Sequence, residues 1–195
     1  MNKKEKLENL HKKWIKECVC QLKDSAKQAV KGVGSADAEI VFIGEAPGKS
    51  EDEKGEPFVG AAGKFLNEML SLINLKREDI YITNVVKYRP PNNRDPLPEE
   101  KNACREWLLG ELKIISPKLI IFLGRHAMNN FFTDQQISQA HGKLLIKKFN
   151  GISTKFFFPL YHPAAALYNG GMREVLIEDF KKIPKILKEI EKRTS

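Results

Sequence analysis

The feature that most constrains this chain is the passage from Ile40 to Phe58. The apolar run Ile40-Val41-Phe42-Ile43 has the length of a buried strand and stops abruptly at Gly44-Glu45-Ala46-Pro47-Gly48. This pattern predicts a strand that delivers a tight loop at the C-terminal edge of a sheet, where open α/β folds place their ligands. Glu45 is the charge it delivers. The glycines suit unusual φ or close approach of backbone to a ligand, and Pro47 stiffens the turn. An acidic loop then leads through Glu51 to Phe58, both candidate walls of one pocket. An ordinary strand-to-helix connection uses similar punctuation, so the loop has to be weighed with the rest of the chain.

Helical spacing of Leu7, Leu10, Trp14, Ile15 and Cys18 predicts an amphipathic helix over residues 5–22, with Cys18 on its inner face. Residues 23–38 read as a polar connection. A second helix is expected from Ala61 to about Asn74, carrying Phe65, Leu66, Met69, Leu70 and Ile73 on its apolar face. The β-branched run Ile80 to Val86 predicts a buried strand interrupted by Asn84. Asn84 is either satisfied by local backbone or aimed at a site. Prolines and asparagines make Tyr88 to Pro96 an exposed basic loop. Pro98 opens a helix that Ser116-Pro117 closes, and Leu119 to Leu123 predicts a third buried strand, turned by Gly124 into a short helix through Phe132. Thr133 to Gly142 reads as loop. Leu144–Ile146 and Phe156–Leu160 predict a hairpin around Asn150-Gly151. That last strand ends in Tyr161-His162-Pro163, and residues 172–192 form a closing helix kinked at Pro184. Strands alternating with helices predict one α/β domain over residues 1–195, with a central, mostly parallel sheet.

A hydrophobic fraction of 42% allows a sizeable core, and a formal charge of +8 favours a polyanion such as nucleic acid, although a lysine-rich solvated face gives the same total. No apolar run approaches the roughly 18 residues that a membrane helix needs. Residues 1–13 are charged in both signs without a signal-peptide core, so a cytoplasmic protein without membrane partners is expected. The three cysteines, Cys18, Cys20 and Cys104, are too few for a disulfide framework and leave buried, reactive or metal-bound roles open.

Glu45, Asn84 and His162 each stand at a predicted strand end. A carboxylate, an amide and a neutral imidazole beside an aromatic wall suit recognition of a pyrimidine: the amide offers donor and acceptor, and a histidine can donate to an oxygen that gains charge as a bond breaks. His11, His126 and His141 carry no comparable context and read as ordinary histidines.

The motifs Gly44-Glu45-Ala46-Pro47-Gly48, Pro57-Phe58-Val59-Gly60, Asn84-Val85-Val86-Lys87 with Arg89-Pro90-Pro91 and Asn93-Arg94-Asp95-Pro96, and His162-Pro163-Ala164-Ala165-Ala166-Leu167 resemble, in order, those of the family 4 uracil-DNA glycosylases. The resemblance runs from about Cys20 to the final helix. It implies a sheet flanked by helices on both faces and a monofunctional glycosylase that flips uracil from DNA and hydrolyses its N-glycosidic bond. It places Phe58 against the uracil, Asn84 on its Watson–Crick edge, Glu51 near C5, and His162 at O2. It counts Ala46 among the uracil-binding residues, has the backbone from Gly44 to Gly48 line the path of the water, and gives Glu45 either the orienting of that water or the electrostatic support of the developing sugar cation. Arg89 and Arg94 would grip phosphates and Leu167 would fill the vacated stack. The implied partner is uracil-containing DNA and the implied state a monomer. A uracil-DNA or single-strand binding module without turnover is the alternative.

Members of that family hold a [4Fe–4S] cluster on four cysteines. Cys20 and Cys104 stand at matching places, but Glu17 replaces the first ligand, Cys18 lies one residue late, and Tyr88 replaces the third. Hydrolysis needs no cofactor, and the expectation is that the cluster is lost, with Trp14 and Tyr88 filling its place. In the competing reading, Cys18, Cys20 and Cys104 hold an incomplete cluster with another ligand.

Overall fold

A computed structural model describes residues 1–194 of the protein. Its strands, numbered along the chain, are β1 Val33–Gly34, β2 Ile40–Gly44, β3 Tyr81–Asn84, β4 Leu119–Leu123, β5 Leu145–Ile146 and β6 Phe156–Leu160. They form one sheet in the order β1-β3-β2-β4-β6-β5. The pairs β2–β3, β2–β4 and β4–β6 are parallel, and the two-residue edge strands β1 and β5 run antiparallel to their neighbours. The order reverses around β2, which creates a crevice at its C-terminal end.

The helices are α1 Lys3–Glu17, α2 Lys49–Lys54, α3 Ala61–Leu72, α4 Pro98–Ile115, α5 Arg125–Asn129, α6 Ile137–Ala140, α7 Ala165–Tyr168, α8 Gly170–Phe180 and α9 Ile183–Thr194. Alternation along β2 explains how they sort onto two faces. Val41 and Ile43 pack with Leu7 and Trp14 of α1 and Cys104, Leu108 and Leu112 of α4. Ile40 and Phe42 pack with Phe65 and Met69 of α3, Leu176 of α8 and Ile186 of α9. Both faces of every central strand are therefore covered, which is why those strands read as unbroken apolar runs.

Several boundaries differ from the sequence reading. α1 ends at Glu17, and Cys18, rather than lying on the helix, caps it in an extended conformation; a tight turn over Gln21–Asp24 follows. The acidic stretch after Gly48 is not a loop but α2, where the Glu51 side chain reaches back to the Gly48 N–H. β3 stops at Asn84 because the N–H groups of Val85 and Val86 turn across to the carbonyls of Gly44 and Glu45. Part of the expected loop Thr133–Gly142 forms α6. The closing helix is two helices rather than one kinked rod, and Pro184 is the second residue of α9, where its missing N–H costs nothing. No helix among the described residues is long and apolar enough to cross a membrane.

Candidate active site

A cavity of about 360 Å³ opens at the C-terminal ends of β2, β3 and β6. Glu45, Asn84 and His162 all line it, together with Ala46, Glu51, Phe58 and Arg94. The three strand-end motifs thus converge on one volume of ligand size.

The floor depends on two glycines. A Cβ on Gly44 would collide with Asn84 Oδ1 and lie 2.7 Å from the Phe58 ring, so only glycine lets β2 pass beneath both side chains. Gly63 is equally obligatory, since a Cβ there would strike the Phe58 carbonyl. Phe58 itself holds a left-handed backbone, φ 54°, which an aromatic residue adopts only when its surroundings enforce it. Arg77 supplies the force, donating to the Phe58 carbonyl at 3.0 Å and to the Pro57 carbonyl at 2.7 Å. The ring so placed faces His162 at 5.6 Å between centroids.

Asn84 is only 3% exposed, yet its Oδ1 has no hydrogen-bond partner. Local backbone does not satisfy it. A buried unpaired amide oxygen is costly, and here it lies in the cavity wall where a ligand can pair with it.

His162 Nδ1 accepts a hydrogen bond from the Ala164 N–H at 3.1 Å. The proton of the neutral ring therefore sits on Nε2. Burial, against the opposing pull of Glu51, lowers the imidazole's pKa to about 4, so it stays neutral at physiological pH.

Glu51 lines the cavity, but its carboxylate is committed elsewhere. Oε1 accepts from the N–H groups of Val59 and Gly60, both at 2.9 Å, and Oε2 from that of Gly48 at 3.2 Å. The side chain brackets the Gly44–Gly48 loop to the Pro57–Gly60 loop.

Glu45 has a neighbour that the sequence did not reveal. Its Oε1 lies 3.3 Å from His126 Nδ1, while His126 Nε2 lies 3.3 Å from Asp95 Oδ2. Arg125 Nε donates to His126 Nε2 at 3.0 Å, and Glu45 Oε1 itself is buried without a hydrogen-bond partner. Burial first, and then Asp95, push the Glu45 carboxyl up to about 7. His126 was passed over because no motif surrounds it; its position just after β4, at the same sheet edge as the other strand-end groups, was the available signal.

The basic loop is ordered by its own contacts. Asn92 and Asn93 take the left-handed conformation that asparagine tolerates, and Arg89 Nε donates to Asn93 Oδ1 at 2.8 Å. Arg94 reaches the cavity rim but is held by both oxygens of Glu100, at 2.9 and 2.6 Å. Beyond His162, Leu167 is 43% exposed and Tyr168, which the sequence reading did not single out, is 91% exposed.

Cys18, Cys20 and Cys104 are buried together. The Cys18 and Cys20 thiols donate to the α4 carbonyls of Ala103 and Glu100, both at 3.7 Å. Tyr88 packs edge-on against Trp14 at 5.8 Å, and its hydroxyl is buried without a partner. Burial and the nearby sulfurs push this phenol's pKa well up, so it is not an anionic ligand. Three thiols and a neutral phenol do not fit a four-thiolate cluster.

The family model described as the Uracil DNA glycosylase superfamily matches residues 31–190. The chain is 52% identical over 169 residues to the type-4 uracil-DNA glycosylase of Archaeoglobus fulgidus, covering 84% of each chain. It is 48% identical over 170 residues to the corresponding protein of Sulfurisphaera tokodaii, covering 84% of this chain and 77% of that one. With the type-4 enzyme of Thermotoga maritima it shares 39% identity over 191 residues, 96% of this chain and 98% of its relative.

Proposed function

Because this chain belongs to the uracil DNA glycosylase superfamily, we propose that it excises uracil from DNA, hydrolysing the N-glycosidic bond and leaving an abasic site. The observation that carries this reading is the unpaired amide oxygen of Asn84, sealed in a cavity beside Phe58 and His162. A flipped uracil supplies what the amide lacks: its ring N3–H donates to Oδ1 and its O4 accepts from the amide nitrogen. Phe58 covers the face of the base. As the N1–C1′ bond breaks, its electron pair passes to the pyrimidine and charge accumulates on O2, to which His162 Nε2–H donates a hydrogen bond. Water adds at C1′, and the Glu45 carboxylate orients it, offsets the developing positive charge of the sugar and accepts the proton.

Specificity has a steric component in this scheme. The Glu51 bracket and the Gly44–Gly48 backbone hold the wall that meets C5, so Glu51 acts on thymine's methyl through the loops that it ties. Arg89 and Arg94 meet phosphates, which makes affinity fall with salt, and Leu167 fills the stack. The chain works as a monomer, with DNA in the cell interior and with no cluster taking part in the reaction.

Single-turnover cleavage of a labelled uracil-containing oligonucleotide tests the proposal. Uracil release by the wild type, and its loss in Asn84→Ala with DNA affinity retained, supports it. A wild type that binds uracil-DNA but never turns over would make the chain a binding module instead.

A further inference from the structure

Beneath the cavity floor lies a sealed polar network that takes no part in the steps above. Lys87 is fully buried, and its ammonium donates to Thr83 Oγ1 at 2.6 Å, to the main-chain carbonyl of Asn84 at 3.0 Å and to Glu111 Oε2 at 2.6 Å. All three of its donors are engaged. Glu111, fully buried on α4, also accepts from Thr83 Oγ1 at 2.9 Å and from the Tyr81 hydroxyl at 3.0 Å, while His11 Nε2 lies 3.1 Å from its Oε1.

Removing two charges from water is expensive, and apolar side chains of similar volume commonly pack as well or better. This pair is placed where it restrains one residue in particular. Lys87 grips the Asn84 carbonyl at the end of β3, and the next two N–H groups, those of Val85 and Val86, bond across to the carbonyls of Gly44 and Glu45 at 2.9 and 3.1 Å. The loop that bears the amide and the loop that bears the carboxylate are thereby joined above a single ammonium.

We propose that Lys87, braced by Glu111, is a positioning residue that holds the Asn84 amide and the Glu45 loop in register for the base. The proposal rests on reading the cavity as a uracil site. Misplacing a reacting group by about 1 Å costs roughly 100-fold in rate, so a brace at this position acts on turnover more than on DNA affinity.

The test is the double variant Lys87→Met/Glu111→Met, which removes both charges and leaves neither unpaired. Thermal melting, excision kinetics and hydrogen exchange at the Val85 and Val86 amides are measured beside the wild type and Lys87→Met. The expected result is a double variant that melts near the wild type, and above Lys87→Met, while kcat falls about 10- to 100-fold at nearly constant KM. Exchange at Val85 and Val86 quickens, whereas α3 amides are unchanged. A double variant with wild-type kcat and wild-type exchange overturns the proposal. Should it not fold, Glu111→Gln, which keeps a hydrogen-bonding partner but removes the charge, is measured in its place, and wild-type values in both readouts again overturn it. If the wild type releases no uracil, the functional reading fails by itself, and the exchange measurement still decides whether Lys87 holds the two loops together.

Discussion

The main-chain N–H of Ala164 and Nδ1 of His162 form a 3.1 Å hydrogen bond that selects the histidine tautomer. With Nδ1 occupied as an acceptor, the ring presents Nε2–H to the cavity, and burial keeps it neutral by lowering its pKa to about 4. Replacing His162 by alanine removes a donor that matters only when O2 gains charge. kcat for uracil release is expected to drop about 100- to 1,000-fold, with DNA affinity nearly unchanged, and the drop should be the same at about pH 6 as at about pH 8. Single-turnover rates and a binding isotherm at both pH values check this.

Glu45 titrates in the opposite sense to a stabilising carboxylate. Its folded pKa, raised to about 7, exceeds the roughly 4.3 of an unfolded glutamate. The folded state therefore binds this proton more tightly than the unfolded state. The contribution to stability is complete below about pH 4 and is lost as pH rises through about 7. Glu45→Gln is expected to stabilise the fold at about pH 8, seen as a higher melting temperature and worth at most about 4 kcal/mol, and to leave stability unchanged near pH 4. Activity should show the converse: wild-type kcat climbs through about pH 7, and that of Glu45→Gln stays low and flat. Melting curves and a pH–rate profile on both proteins provide the check.

Tyr168 stands clear of the body at 91% exposure beside the half-covered Leu167, on the segment that follows His162. A side chain that replaces an extruded base matters only where there is a stack to fill. Leu167→Ala and Tyr168→Ala are each expected to slow excision from duplex DNA by about tenfold while sparing single-stranded substrate. The ratio of the two rates in each variant is the quantity to measure.

The donors around Cys18, Cys20 and Cys104 lead to an analytical prediction. Tyr88, at the place where the family resemblance expects a thiolate, is a protonated phenol packed on Trp14. Iron and acid-labile sulfide in the purified protein are expected to fall far short of one cluster per chain, and treatment with a chelator should leave melting temperature and excision unchanged. Stoichiometric iron that chelation removes together with activity would contradict this.

The sheet and the two sides of its core were legible because the signal is local. Ile40–Ile43, Leu119–Leu123 and Phe156–Leu160 are apolar runs that only a strand covered on both faces can bury, and each is followed by residues that stop it. Boundaries were less legible where a distant or reciprocal contact sets them. Asn84 ends β3 because Val85 and Val86 find carbonyls on another strand's loop, and α2 forms where Glu51 caps its own first turn.

The sequence by itself determined that Glu45, Asn84 and His162 would stand at one edge of a parallel sheet, since each follows a strand run and parallel strands deliver their ends to the same side. Tertiary structure decided what those groups can do. Glu51 spends its oxygens on two loops, His126 comes within 3.3 Å of Glu45 from a helix some eighty residues further along the chain, and Lys87 finds Glu111 across the core at 2.6 Å. Hydrophobic pattern is written in neighbouring residues, but hydrogen bonding and charge depend on which remote side chains share a buried volume, and only the folded chain specifies that.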